Sequence, residues 1–299
     1  MPGTIVKLFT LRPALALLVF CCLLFASQAA TAASAEPAAV RVDTDTLRSG
    51  LNLAGEWRFQ PGDDMAWAAP ALDDTRWGHL KVPGRWPEGG YPQLGNIAWY
   101  RLTLQLDPAI LSTGQKDALA VQLGHVLSAY ELYAGGELVG SVGKFPPLSE
   151  IQYDRERVFS IPPSAVDEQG RLVLALRVWG GSDLSVQAWS AGPSSGDYRL
   201  GEYRSLLLGG IAGELPGLML VVLIFVFGLY HLYLYARNRS LETYLWFGLT
   251  AINIAVYGLM LTQWKYMSDF DFLTLKKIEF GAIYLFPAVA IQMLWSLLN

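Results

Sequence analysis

The chain contains very little cysteine, histidine or charge. Its 299 residues include two cysteines, three histidines and only 16% charged residues. Both cysteines, Cys21 and Cys22, lie near the N-terminus, in a segment with the features of a signal peptide. Without that segment the chain has no cysteine, which excludes a disulfide, a cysteine-ligated metal and a thiol nucleophile. The histidines (His79, His125 and His231) lack metal-binding spacing, so we predict no metal site and no other cofactor.

The sequence also lacks an excess of basic residues and any recognised catalytic motif. The net charge is −4, whereas a nucleic-acid-binding domain needs a clustered basic surface, so we expect no nucleic-acid partner. No Ser/His/Asp grouping, phosphate-binding loop or dinucleotide fingerprint is present. The acid pairs Asp63-Asp64 and Asp73-Asp74 fit turns better than two carboxylates facing each other across a cleft. We therefore predict no catalytic residue and expect that this chain is not an enzyme.

The N-terminal segment has the three parts of a secretory signal peptide. Lys7 and Arg12 supply positive charge, 14–26 is apolar, and small residues follow with sites such as Ala30-Thr31-Ala32. We assign residues 1–35 to this signal, with an uncleaved anchor as the alternative.

Residues 36–195 show the pattern of a β domain, after a polar lead-in at 36–48. Short segments of alternating apolar and polar residues are separated by Gly, Pro and Asp, and Gly135-Gly136 fits a two-residue hairpin turn. The predicted strands are 98–106, 118–123, 129–134, 137–142, 157–161 and 171–179. Many short strands with no long helix predict a β-sandwich. Small residues at 196–214 predict a linker.

Two of these strands place aromatic residues and arginines together on their polar face. An aromatic ring can stack on a sugar, and a guanidinium fork can bind hydroxyls or a carboxylate. The six predicted ligand-binding residues are Trp86, Tyr91, Trp99, Arg101, Arg177 and Trp179. The alternative is that these side chains cap the sandwich or pack under loops.

Several motifs of this domain follow one another at the spacing of a known module. They are Gly55-Glu56-Trp57-Arg58-Phe59, Asp73-Asp74 with Trp77, Val82-Pro83-Gly84-Arg85-Trp86, Trp99-Tyr100-Arg101 and Tyr133-Ala134-Gly135-Gly136-Glu137-Leu138-Val139-Gly140. The domain thus resembles the N-terminal sugar-binding jelly roll of β-galactosidase and β-glucuronidase type glycoside hydrolases, with Gly135 at a usual asparagine. Those enzymes keep their catalytic carboxylates in a separate barrel, which we do not find here. The resemblance therefore implies a galactose-binding-like jelly roll and carbohydrate binding, without hydrolysis.

Three apolar runs follow the β domain, at 215–236, 243–264 and 279–299. Each has about the 20 residues that a helix needs to cross a bilayer. Arg237 and Arg239 between the first two runs fit the positive-inside rule. We therefore predict three transmembrane helices in the bacterial cytoplasmic membrane, with the β domain periplasmic or extracellular.

One feature conflicts with this orientation. Lys265, Lys276 and Lys277 lie between the second and third runs, on the side that the rule expects to hold few lysines. We give the export signal more weight than these three lysines.

The membrane part carries a second resemblance. Its motifs are Gly217-Leu218-Met219, Leu229-Tyr230-His231-Leu232-Tyr233-Leu234-Tyr235, Arg237-Asn238-Arg239, Tyr244-Leu245-Trp246-Phe247-Gly248-Leu249 and Lys277-Ile278-Glu279-Phe280. They resemble the bacterial seven-transmembrane receptors with diverse intracellular signalling modules, which often carry a jelly-roll extracellular domain. Only three of the seven helices are present, so we expect a truncation. The output module, of cyclase, diguanylate cyclase, histidine kinase or phosphatase type, is then missing.

These observations predict a membrane signal-transduction receptor that senses a ligand outside the cell membrane. One alternative is a membrane-anchored carbohydrate-binding protein or glycoside hydrolase fragment, and another is a three-helix scaffold whose output is a partner protein. The predicted partners are the lipid bilayer, a carbohydrate or other small-molecule ligand, and a second copy of the chain.

Overall fold

The computed structural model describes residues 40–92, 97–112, 118–181 and 191–298. The signal peptide predicted at 1–35 lies outside these residues. From Val40 onward the chain forms one compact unit, in which a β domain is followed by three long helices.

The elements are numbered here in chain order. The strands are β1 (Val40–Val42), β2 (Leu51–Asn52), β3 (Gly55–Pro61), β4 (Gly78–Val82), β5 (Ile97–Leu106), β6 (Leu119–Leu123), β7 (His125–Leu127), β8 (Ala129–Ala134), β9 (Glu137–Val142), β10 (Arg157–Ser160), β11 (Arg171–Trp179), β12 (Gly192–Ser195) and β13 (Arg199–Glu202). The helices are α1 (Thr44–Ser49), α2 (Pro108–Ser112), α3 (Tyr203–Arg237), α4 (Glu242–Met260) and α5 (Phe272–Leu298). Short 3₁₀ turns occupy Met65–Ala68, Pro163–Ala165 and Gln263–Met267.

The strands form a large sheet, a small sheet and a separate two-stranded sheet. The large sheet has the order β4-β3-β5-β11-β8-β9, with β1 parallel to the end of β5. The small sheet has the order β10-β6-β13-β2, and β12 pairs with β7. At the centre of the large sheet, β11 runs antiparallel to β5, from Arg171 opposite Gln105 to Trp179 opposite Ile97.

The large and the small sheet share one apolar core. Tyr100 and Leu104 enter it from β5, and Leu119 and Val121 enter it from β6. All four side chains are fully buried. The prediction of a mainly β domain is confirmed, while the jelly-roll order of its connections stays a prediction.

The local strand predictions agree closely with the structure. The strands β8, β9 and β11 begin and end at the predicted residues, and β5 begins one residue earlier at Ile97. Between β8 and β9, Gly135 and Gly136 have φ angles of +57° and +90°, so this turn needs backbone conformations that favour glycine.

The segment 196–214 is not a linker, which corrects the sequence-based prediction. It contains β13, where Leu200 pairs with Val121 of β6, and then the first turns of α3. Tyr198 and Leu200 are both buried. Two apolar residues in alternate positions, surrounded by small residues, were too short a pattern to predict this strand. The β domain therefore continues directly into the first long helix. The polar lead-in is likewise partly structural, since Val42 and Leu47 are buried.

The three long helices are each long and apolar enough to span a membrane. Their observed bounds differ from the predicted spans. Helices α3 and α5 begin earlier than predicted, and α4 ends at Met260 instead of at 264. The middle helix α4 contacts both α3 and α5. Helices α3 and α4 approach closely at Gly228 and Gly248, where an added methyl would lie 3.1 Å or less from the opposing backbone oxygen. The structure fits a membrane protein, while its compartment and orientation stay predictions.

Candidate functional site

The six predicted ligand-binding residues lie mostly inside the β domain. Trp86, Trp99 and Arg101 are buried, and Trp179 is only 5% exposed. Stacking on a sugar requires an open ring face, and in this structure protein atoms cover these rings. Ligand contact by the set stays a prediction.

A second aromatic cluster covers the polar face of β5 and β11. Trp67 and Trp77 come from the segment after β3 and meet edge to face, with ring centres 5.2 Å apart. They pack beside Trp99, whose ring is stacked on Tyr133 at 5.4 Å. The covering segment turns at Met65–Ala68, where the Asp64 side chain accepts a hydrogen bond from the Ala66 amide. The strand face that alternation marks as polar is therefore part of the interior.

Arg101 fixes this covering segment to the sheet. Its Nε donates to Asp74 Oδ2 at 2.8 Å, and its Nη1 donates to the Trp67 carbonyl oxygen at 2.5 Å. The side chain is fully buried, so the Asp74 carboxylate provides the charge partner that a buried guanidinium requires. Arg101 thus has a structural role in this structure.

Arg177 is also occupied by protein groups. Its Nε and Nη2 donate to both carboxylate oxygens of Asp63 at 2.7 and 2.5 Å, and its Nη1 donates to Glu131 Oε2 at 2.9 Å. The centre of the Phe145 ring lies 4.3 Å from the guanidinium carbon of Arg177. Hydrogen bonding from Arg177 lowers the pKa of Asp63 against the opposing effect of burial. A ligand would have to compete with this bidentate pair.

Trp86 and Tyr91 lie on the other side of the large sheet, so the six residues do not form one cleft. Trp86 Nε1 donates to the Tyr100 hydroxyl at 2.7 Å, within the main core. The Tyr91 ring lies 4.8 Å from the Phe59 ring and stays partly exposed.

The structure reveals a different polar site, where the β domain meets the turn between α4 and α5. We call it the junction cluster. It comprises Tyr153, Asp154, Glu156, Glu214, Gln263, Lys265, Tyr266, Lys276 and Glu279. Asp154 lies at its centre. Its Oδ2 accepts hydrogen bonds from Lys265 Nζ and Lys276 Nζ, both at 2.6 Å, and its Oδ1 accepts one from the Tyr266 hydroxyl.

The two lysines of the junction cluster are buried, and each is paired with a carboxylate. Lys265 and Lys276 are only 5% and 7% exposed. Lys265 also donates to the Met260 carbonyl at 2.7 Å, and Lys276 donates to Glu279 at 2.6 Å. Burial acts to raise the pKa of Asp154, but hydrogen bonds from Lys265, Lys276 and Tyr266 outweigh it, so the pKa is lowered. The carboxylate is therefore held in its charged form.

Gln263 connects three parts of the chain within this cluster. Its side-chain Nε2 donates to the Asp154 carbonyl at 2.9 Å, and its Oε1 accepts from the Glu156 amide at 3.1 Å. Its own amide donates to Glu214 Oε2 on α3 at 2.9 Å. The β domain, α3 and the turn between α4 and α5 are thus joined at one residue.

Aromatic rings pack around the same groups. The Tyr153 ring meets the Phe272 ring edge to face at 5.2 Å, and the Lys276 ammonium lies 4.7 Å from the Tyr153 ring centre. The Arg155 guanidinium lies 4.8 Å from the Tyr266 ring centre. These ring contacts add cation–π attraction to the ion pairs.

Sequence reasoning missed this site, although one signal pointed to it. Lys265 and Lys276 conflicted with the positive-inside rule, and the structure shows that both form ion pairs with Asp154. Nothing in the sequence pattern around Asp154 marked it as their partner. Within the described ranges, no group of three or more His, Cys, Asp or Glu side chains could hold a metal ion.

Comparisons with known proteins find similarity to parts of solved structures. No protein-family model matches the chain, and no curated protein does. A β-glucuronidase from Bacteroides uniformis is 22% identical over 50% of this chain and 17% of its own, with a TM-score of 0.39. A glycosyl hydrolase family 2 member from Bacteroides cellulosilyticus is 17% identical over 51% of this chain and 20% of its own, with a TM-score of 0.39.

A third structure is a β-glucuronidase from Ruminococcus gnavus in complex with D-glucaro-d-lactam. It is 12% identical over 51% of this chain and 29% of its own, with a TM-score of 0.38. The chain therefore spans less than a third of the length of each of these three proteins. Similarity at this level does not establish a shared activity.

Proposed function

We propose that this chain is the sensing part of a membrane signal-transduction receptor. In this proposal the β domain lies outside the bacterial cytoplasmic membrane and binds a carbohydrate or another small ligand. Binding shifts the three helices and so controls a cytoplasmic output module of cyclase, diguanylate cyclase, histidine kinase or phosphatase type. The resemblance of the helices to seven-transmembrane receptors supports this assignment, and the chain itself has no proposed catalytic role.

The junction cluster is the observation that carries the proposal. A domain that is only anchored to a membrane needs no more than a covalent connection to one helix. Here Asp154 also binds two buried lysines, one in the turn after α4 and one on α5. Because a buried ammonium is unfavourable without its carboxylate, a displacement of Asp154 requires the ends of these helices to move with it.

Such a contact can work as a two-state element. A ligand shifts an equilibrium between two arrangements only if it binds one of them more tightly. We propose that the ligand contacts Tyr91 or Arg177, whose side chains remain partly exposed. Arg177 bridges Asp63 and Glu131, so a ligand carboxylate or hydroxyl competing for this guanidinium would loosen the contacts of β8 and of the segment after β3.

Hydrogen exchange on the full chain in lipid nanodiscs tests this function. The probes are galactose and glucuronate, each added separately. We expect one of them to increase protection of the β domain and to change protection of 150–156 and 261–271. In the Asp154→Asn variant the sugar should still protect the β domain while the change at 261–271 disappears. Lys144→Gln, which breaks an exposed ion pair with Glu150, serves as the control and should behave as the wild type.

Each other outcome contradicts a defined part of the proposal. Sugar protection confined to the β domain would favour the membrane-anchored carbohydrate-binding protein and overturn the receptor. Turnover of a glycoside by the purified chain would favour the hydrolase alternative. Absence of any effect from both sugars would overturn binding of these carbohydrates.

A further inference from the structure

A cleft of about 510 Å³ opens between the small sheet and the first turns of α3. Its lining includes Gln122, Glu156, Asp197, Arg199, Gly209 and Glu214. At Gly209 an added methyl would meet no atom within 4 Å, so this part of the helix wall is open. The cleft is continuous with the junction cluster through Glu156 and Glu214.

Carboxylates outnumber cations in this cleft. Glu156 and Asp197 line it from the β domain, Glu214 lines it from α3, and Arg199 is paired with Asp197 at 3.0 Å. His125 of β7 faces Glu156, with 3.6 Å between Nε2 and Oε1.

The other neighbours of Glu156 do not neutralise it. Gln122 of β6 gives it a neutral hydrogen bond, and Gln263 from the turn between α4 and α5 accepts from its amide. The negative charge of Glu156 contributes to raising the pKa of the nearby Tyr130 and Tyr198 hydroxyls, which carry no positive charge. His125 offsets the charge of Glu156 only when the imidazole ring is protonated, and Glu156 also lines the cleft with two further carboxylates.

Gln263 forms hydrogen bonds with two of these acidic residues and so connects the two walls of the cleft. It binds the backbone of Glu156 on the β domain and the side chain of Glu214 on α3. Like charges on opposite walls of a partly desolvated cleft repel each other. The attachment of the β domain to α3 is therefore weaker when Glu156 is charged.

We propose that protonation of Glu156 tightens the attachment of the β domain to α3, so that this cleft makes the junction sensitive to external pH. The inference is independent of carbohydrate sensing, because it uses neither Tyr91 nor Arg177. It assigns to Glu156 a role opposite to that of Asp154, although the two carboxylates are two residues apart.

The direction of the pH effect follows from the surroundings of Glu156. Burial raises its pKa above the ordinary 4.5, His125 opposes the rise, and Asp197 and Glu214 add to it. A carboxyl whose pKa is raised by folding favours the folded contact fully below pH 4.5, and this contribution is lost as the pH rises through the folded pKa. Mild acid, above the range in which Asp154 protonates, should therefore strengthen the attachment.

Hydrogen exchange of 205–214 tests the proposal, on the full chain in nanodiscs of zwitterionic lipid. Rates are measured at about pH 5 and about pH 7.5 and are corrected for intrinsic exchange. These two values are chosen because the contribution of Glu156 to the stability of the attachment is lost as the pH rises above its ordinary pKa and through its raised pKa. We expect several-fold higher protection of the wild type at the lower pH. Glu156→Gln, which mimics the protonated side chain, should show high protection at both. Glu168→Gln, at an exposed position remote from the cleft in sequence, should keep the wild-type response.

A second variant tests the same repulsion from the other wall of the cleft, so the proposal stays testable if Glu156→Gln does not fold. Glu214→Gln removes the charge from the helix wall and should reduce the pH response in part. Equal protection of the wild type at both pH values would overturn the proposal. So would a full response in Glu156→Gln, and a full response in Glu214→Gln would exclude repulsion across the cleft as the cause.

Discussion

Replacing Asp154 with asparagine removes the carboxylate that Lys265 and Lys276 share, with almost no change in volume. Both ammonium groups lie in side chains that are less than 10% exposed. Removing one member of a buried ion pair destabilises by about 3–5 kcal/mol, because the remaining charge is left without its partner. Lys276 keeps Glu279 and Lys265 keeps the Met260 carbonyl, so we expect the lower limit, about 3 kcal/mol.

The contact that is weakened is the docking of 150–156 onto 261–271. Hydrogen exchange reports the opening free energy of these segments. A loss of about 3 kcal/mol corresponds to roughly a 100-fold loss of protection at neutral pH. Lys144→Gln is the matched control, since the Lys144 and Glu150 side chains are 60% and 34% exposed and an exposed pair contributes less than about 1 kcal/mol.

The same contact has a defined dependence on pH. Because the folded pKa of Asp154 lies below its ordinary 3.8, its stabilisation is complete above pH 3.8 and is lost as the pH falls through the folded pKa. The wild type should therefore lose protection of 150–156 in strong acid, and this step should be absent from Asp154→Asn. If Asp154→Asn loses no more protection than Lys144→Gln, the reasoning is refuted. Adding Lys265→Met to Asp154→Asn should restore part of the loss, because it removes the unpaired charge.

Two further predictions concern the β domain and the helix pair. Asp74→Asn leaves the fully buried Arg101 guanidinium without its carboxylate, so denaturant unfolding should show a loss of about 3 kcal/mol from the β domain. Asp73→Asn next to it should have a much smaller effect, and equal losses would contradict the structural role of Arg101. Gly248→Ala places a methyl 2.7 Å from Leu232 Cδ2 and 2.9 Å from the Gly228 carbonyl oxygen, so it should lower the melting temperature. Gly281→Ala on α5 meets no atom within 4 Å and should not lower it, and equal melting temperatures would disprove the close packing of α3 on α4.

The strands and the long helices could be predicted because each is specified by neighbouring residues. Alternation with a period of two defined β11 at both ends, since successive strand side chains point to opposite faces. The Gly135-Gly136 pair located the turn between β8 and β9. Length and apolar composition located the three long helices, although the early start of α3 could not be read from its small residues.

The candidate site was not predictable in the same way. Arg101 and Arg177 lie at the polar positions of strands in which polar and apolar residues alternate. In the structure, Asp74 and Asp63 from a distant segment pair with these arginines and cover them. No local pattern distinguishes a strand face open to water from one that another segment covers. The ligand interpretation of these residues therefore depended on an exposure that the sequence does not encode locally.

What the sequence determined by itself is a β domain joined to three membrane-length helices, because periodicity, turn residues and apolar length act over a few neighbouring positions. What only the tertiary structure decided is how these parts are attached. Asp154 and Lys276 are separated by 122 positions along the chain, and a hydrogen bond of 2.6 Å joins them. The opposite pKa directions of Asp154 and Glu156 have the same origin, since each depends on which distant charges the fold brings to that carboxylate.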